Sequence, residues 1–190
     1  MATLPLILGI DAATTSGAAL GYPGAVPTFE TIHLGGEDHL QVCASALKWI
    51  ARKLKADKPD LLYIEKPMAI GAAIHGKSNA RSIVRLNQIY GIFGGAALLL
   101  GIPVIGIDVQ TVRQAFLGDG QLERNEAKKR AQTMCRLLGW PARNGDEADA
   151  AGVWYWGCCC EAPKNSAVVH PGLWSKAAAV TSGERLVASL

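Results

Sequence analysis

Two short apolar runs in this chain each end on a carboxylate. LPLILGI at 4–10 runs into Asp11, and LLYI at 61–64 runs into Glu65. Runs this short, apolar at consecutive positions and closed by a turn or a proline, read as buried strands. Between them Leu40, Cys43, Ala44, Leu47, Ile50, Ala51 and Leu54 recur at helical spacing, Lys48, Arg52 and Lys55 take the other side, and Pro59 ends the stretch. Ala18 to Tyr22 and Thr28 to Leu34 add two strands that, with the first, make an antiparallel meander across a turn at 12–17. A β-branched run at 103–108 gives a fifth strand, and helices are predicted over 79–100, 109–117, 126–138 and 145–159. Three antiparallel strands followed by strand–helix units give an α/β fold: a mixed five-stranded sheet flanked by helices on both faces.

The chain of 190 residues is 49% apolar and 18% charged, enough to bury one full core without staples and unlike a disordered sequence. The uncharged stretch from Leu86 to Ile107 is long enough to suggest a membrane span, but Gly101 and Pro103 divide it into a helix and a strand. The N-terminus, MATLPLILGID, has no basic segment and meets an acid at Asp11, so it is not read as a signal peptide. Five cysteines, three of them consecutive at 158–160, form neither a disulfide framework nor a zinc spacing. The expectation is reduced thiols, a cytoplasmic location and no membrane. Beyond Glu161 periodicity is lost, so one domain is expected over 1–161, with 162–190 a poorly ordered or loosely packed tail.

Chemistry concentrates in four acids. Asp11 and Glu65 end neighbouring strands, and Asp146 and Asp149 lie three apart at the start of a helix, on one face about 5–6 Å apart. Taken singly, each has an ordinary structural explanation: a turn, a strand-end ion pair, a complement to the helix dipole. Asp149, inside the apolar ADAAGVWYW, is the hardest to explain that way. Converging carboxylates repel, and divalent cations resolve the conflict. Oxygen donors without His or Cys select Mg²⁺, with Mn²⁺ as substitute, and a pair of ions about 3.5–4 Å apart suits phosphodiester hydrolysis. The charge distribution points to a polyanion. Residues 66–143 carry eleven basic residues against four acids, whereas 1–47 contain no Lys or Arg.

LGIDAATTSG at 8–17, YIEKP at 63–67, the run at 109–131 and DEADAAGVWYW at 146–156 together resemble the RuvC-like Holliday junction resolvases of the RNase H-like superfamily. The resemblance covers roughly residues 4–160. It implies that Asp11, Glu65, Asp146 and Asp149 are catalytic metal ligands for two ions, and that a homodimer cuts opposing strands of a four-way DNA junction in recombination and repair. It further implies DNA contacts from Met68, Arg113 and either Arg124 or Lys128, and the basic charge of the same region adds Lys77 and Arg81 to the expected contacts. Two departures stand out: Ala12-Ala13 replaces the family's Pro-Gly, and Met68 occupies the place of an aromatic, where it can wedge against bases. Tyr90, Gly91, Phe93, Gly94 and Ala97 make the helix at 79–100 the expected dimer face, because more of it is apolar or small than one core-facing stripe needs. Three alternatives stay open. One is a broader branched or flap endonuclease. Another is a catalytically silent nucleic-acid-binding module of the same fold. The third is a sugar-kinase or actin-like ATPase, which GIDAATTS also resembles but whose two lobes need far more residues.

Overall fold

The computed structural model describes residues 4–67, 80–162 and 185–186. The order is β1 (Ile7–Asp11), β2 (Thr15–Gly21), β3 (Thr28–His33), α1 (His39–Asp57), β4 (Leu61–Glu65), α2 (Ala80–Leu99), β5 (Val104–Ile107), α3 (Val109–Leu117), α4 (Arg124–Leu137), α5 (Gly145–Glu161) and β6 (Arg185–Leu186). The sheet runs β3-β2-β1-β4-β5-β6. β1 to β3 form the meander, β4 and β5 continue parallel to β1, and β6 adds an antiparallel edge to β5. The expected mixed five-stranded sheet is therefore present, with a two-residue sixth strand supplied from the tail. Apart from Ala162 and that strand, the expected tail of 162–190 lies outside the described residues.

Strand parity divides the interior into two cores. Leu8, Ile10, Leu62 and Ile64 face α1 and α2 and pack with Trp49, Ile50, Ile89 and Phe93. Ile7, Tyr63, Ile105 and Ile107 face the other way, onto Phe116, Trp140, Trp154 and Tyr155. Side chains alternate across a strand, so Asp11 falls on the side of Ile7, and Glu65 on that of Tyr63. Both acids thus point to the face covered by α3, α4 and α5. The register pairs Ile10 with Ile64, which sets Asp11 and Glu65 side by side at the ends of neighbouring parallel strands.

Three expectations shift. β2 begins at Thr15 rather than Ala18, because buried Ser16 closes the turn early: its hydroxyl donates to the Ala13 carbonyl and accepts from the Ala13 amide. In α1 the buried stripe is Val42, Ala46, Trp49, Ile50 and Leu54, leaving Leu40 and Leu47 exposed. Trp49 sets that rotation, lying 5.5 Å from the Phe93 ring and donating its indole N–H to Glu30 at 2.8 Å. In α2, Phe93, Gly94 and Ala97 are buried in the chain's own core, so they cannot form a dimer face. The helix instead exposes Arg81, Val84, Gln88, Gly91, Gly95 and Leu99 along one stripe. As expected from Gly101 and Pro103, α2 stops at Leu99, and Gly101 takes φ +74°. Among the described residues no helix is long and apolar enough to cross a membrane. None of the five cysteines is in a disulfide.

Candidate active site

α5 is buried nearly all round, between the sheet and helices α3 and α4. Glycines in the sheet make this possible. A Cβ at Gly9 would stand 2.5 Å from the Trp154 amide nitrogen, and one at Gly17 would collide with the Asp146 carbonyl. Helix backbone thus rests directly on β1 and β2. Trp154 anchors the contact, its indole N–H donating to the Gly21 carbonyl at 3.0 Å.

The first turn of α5 is tied down by a polar cluster. The Asn144 side chain accepts from the Glu147 amide at 3.0 Å and donates to the Thr31 hydroxyl at 2.8 Å. Glu147 is fully buried and accepts from Thr31 Oγ1 (2.8 Å), the Arg143 amide (2.7 Å) and Arg143 Nη2 (2.6 Å). Burial alone would raise the Glu147 carboxyl, but the bonds from Arg143 and Thr31 outweigh it and hold the group below the ordinary glutamate range. Glu147 therefore does more than complement the helix dipole: it pins α5 to β3. The signal was legible as Asn-x-x-Glu ahead of an apolar run, a capping signature, although here the glutamate turns inward instead of back to the cap.

With α5 so placed, Asp11, Asp146 and Asp149 each present a carboxylate oxygen within 4.8 Å of the others. Glu65 lines the same cleft, a cavity of about 540 Å³. The acids strain against one another. Burial, then the charge of Asp149, pushes the Asp11 carboxyl up to about 7. Burial, then Asp11 and Asp149, raises Glu65 well above its ordinary value. Asp149 is raised to about 6, by burial and by Asp146 against the opposing pull of Lys128. Such a set favours a cation, and all of its donors are hard carboxylate oxygens, the set that suits Mg²⁺ or Mn²⁺.

Basic residues stand around the acids. Arg113, Arg124 and Lys128 line the cleft, and so does Lys66, which was not among the expected DNA contacts. Lys128 Nζ lies 2.6 Å from Asp146 and 3.6 Å from Asp149. Arg113 donates one N–H to the Leu122 carbonyl at 2.7 Å, so part of it braces the loop before α4. Arg81, second residue of α2, is exposed and does not line the cleft. Met68 and Lys77 lie outside the described residues. The expected acid set thus comes together, and the expected basic set does so for Arg113, Arg124 and Lys128.

No family model matches the chain. In sequence it is 29% identical over 112 residues to the crossover junction endodeoxyribonuclease RuvC of Vibrio cholerae (strains O395 and M66-2), an alignment covering 59% of this chain. The chain spans 57% of the length of these curated relatives. Among solved structures, Thermus thermophilus RuvC in complex with a Holliday junction substrate superposes with a TM-score of 0.61 at 19% identity, covering 79% of this chain and 90% of that one. A second structure of Thermus thermophilus RuvC gives 0.56 at 15% identity, over 87% and 94% of the two chains. Fold and sequence therefore agree in likening this chain to the RuvC crossover junction endodeoxyribonucleases, on an RNase H-like architecture.

Proposed function

We propose that this chain is a divalent-metal-dependent endodeoxyribonuclease that resolves four-way DNA junctions, its nuclease unit spanning residues 1–161. The observation that carries the reading is the convergence of Asp11, Glu65, Asp146 and Asp149 from β1, β4 and α5 in one cleft rimmed by Arg113, Arg124 and Lys128. The likeness to RuvC, one of whose structures holds a Holliday junction substrate, supports the choice of branched DNA.

The four acids would hold Mg²⁺, or Mn²⁺ in its place, as a pair of ions. Bound there, such ions supply an activated water and stabilise the leaving oxygen of a phosphodiester. The chain's own part is positional. β1 and β4 fix Asp11 and Glu65 on a rigid sheet, and the Glu147 cluster fixes the helix turn bearing Asp146. Arg113 and Arg124 attract and seat the phosphate backbone. Arg81, Lys77 and Met68 are proposed to extend that contact along a junction arm and toward its centre.

A junction has two-fold symmetry, so two active sites in matching orientation require an isologous pair. The exposed stripe of α2 that includes Val84, Gly91, Gly95 and Leu99, with Leu40 and Leu47 on α1, offers the apolar surface for a homodimer. The test is cleavage in Mg²⁺ of a four-way junction, a Y-fork and a linear duplex of shared sequence. Paired symmetric incision of the four-way junction is expected, with little cutting of the duplex. Equal cutting of all three would overturn junction selectivity, and preference for the Y-fork would reassign the chain to flap-type substrates.

A further inference from the structure

Among the described basic residues of the cleft, Lys128 alone forms a short ion pair with the acids. Its ammonium bridges Asp146 at 2.6 Å and Asp149 at 3.6 Å, both in the group whose carboxylate oxygens converge. The path of its stem is built in. A Cβ at Gly145 would collide with that stem, standing 2.5 Å from Cγ and 2.7 Å from Cδ, so the glycine before Asp146 is the groove in which Lys128 lies. Ala127 and Ala131, before and after it in α4, are buried. Its head keeps a way out, the side chain being 34% exposed. Arg113 and Arg124 act on the acids through charge, and Arg113 is partly committed to the Leu122 carbonyl.

We propose that Lys128 is the resident counter-cation of the acid cluster: its ammonium holds the place of a cation between Asp146 and Asp149, and an arriving divalent ion must displace it. The proposal rests on the metal-binding reading above and adds a competitor inside the site. A lysine suits the role because a point charge on a flexible stem can leave without breaking a planar two-pronged bond, as an arginine would have to. It stabilises the metal-free protein, whose acids would otherwise face one another unshielded, at the expense of weaker metal binding.

The experiment is calorimetric titration of Mn²⁺ into the wild type, Lys128→Met, Lys128→Gln and, as a charge control, Arg124→Met. Melting temperatures are taken with and without the ion, and the lysine Cε signals of the wild type are followed by NMR during a Mg²⁺ titration. Both Lys128 variants are expected to melt lower than wild type without metal, to bind Mn²⁺ several-fold more tightly, and to gain more in melting temperature on binding. Arg124→Met should gain less affinity than either. The Lys128 signal should move as the site fills. Equal or weaker Mn²⁺ binding by both Lys128 variants, or a Lys128 signal unmoved at saturation, would overturn the displacement while leaving the metal site standing. Absence of binding in all four proteins would overturn the metal site and this proposal with it.

Discussion

With its carboxyl raised to about 7, chiefly by burial, Asp11 keeps its proton well above the ordinary aspartate range when no divalent ion is bound. Asp149 follows at about 6. Their ordinary value is 3.8, so between about pH 4 and pH 7 the folded chain holds protons that the unfolded chain has released. Stability from this source is greatest at the acid end of that window and falls as pH rises through the folded values. Glu147 has the opposite sign: its carboxyl is depressed, and its contribution is lost only as pH falls below the ordinary glutamate range. In metal-free buffer the melting temperature should therefore peak near pH 5 and decline toward pH 8, with much of the decline absent in Asp11→Asn. Scanning calorimetry across that range checks it, and a wild-type melting temperature that climbs steadily to pH 8 would contradict it. Glu147 gives a second prediction at this scale. Glu147→Gln loses a charged acceptor from a fully buried site with bonds to Thr31 and Arg143. It should cost about 1–3 kcal/mol in urea denaturation, the range for a buried charged hydrogen bond, and slow cleavage without abolishing it.

Between residue and fold, the start of α5 is where packing becomes chemistry. Gly17 lets β2 touch the Asp146 carbonyl, so Gly17→Ala must push the helix off the sheet just where it carries a proposed metal ligand. A cost of about 1–3 kcal/mol is expected from overpacking, together with weaker metal binding than in an equally destabilised variant of the far core, such as Ala46→Gly in α1. Calorimetric Mn²⁺ titration of the two compares them, and equal metal affinity would show that the contact is only structural. Most elements were legible in the sequence because their periods are strong: the apolar runs of β1, β4 and β5, and the Ala127, Ala131 and Cys135 face of α4. The acid quartet was legible for the same reason, since strand ends and helical spacing place carboxylates without knowledge of side-chain packing. The rotation of α1 was not. Leucines at 40 and 47 matched a helical stripe as well as the true one, and only the ring contact of Trp49 with Phe93, distant in sequence, decides between them. The inward turn of Glu147 depends likewise on Thr31, which lies more than a hundred positions away. Phe93, Gly94 and Ala97 of α2 were misread as surface because periodicity reveals that a helix has two apolar faces, but not which one its own sheet takes.

For the whole molecule, charge and symmetry set the expectations. If Arg124 contacts a phosphate, Arg124→Ala should weaken binding to all junction sequences alike and lower the slope of log affinity against log salt by about one unit. Fluorescence anisotropy at several salt concentrations measures this, and an unchanged slope would reduce Arg124 to a neighbour of the acids. Assembly should depend on the solvent face of α2. Among the described residues, a Cβ at Gly91 or Gly95 meets nothing within 4 Å, so Gly91→Trp should leave the fold intact and yield monomers by sedimentation equilibrium. Gly94→Trp would instead overfill the core beside Val104. A wild type that sediments as a monomer at micromolar concentration while still cutting junctions symmetrically would contradict the dimer. The central claim, that the carboxylates meeting between β1, β4 and α5 are the cutting machinery, is tested most directly by Asp146→Asn, assayed in Mg²⁺ for both binding and incision of one labelled four-way junction. The account predicts a folded protein that binds the junction as tightly as wild type and leaves it uncut. Incision at the wild-type rate would remove Asp146, and with it this cluster, from the chemistry.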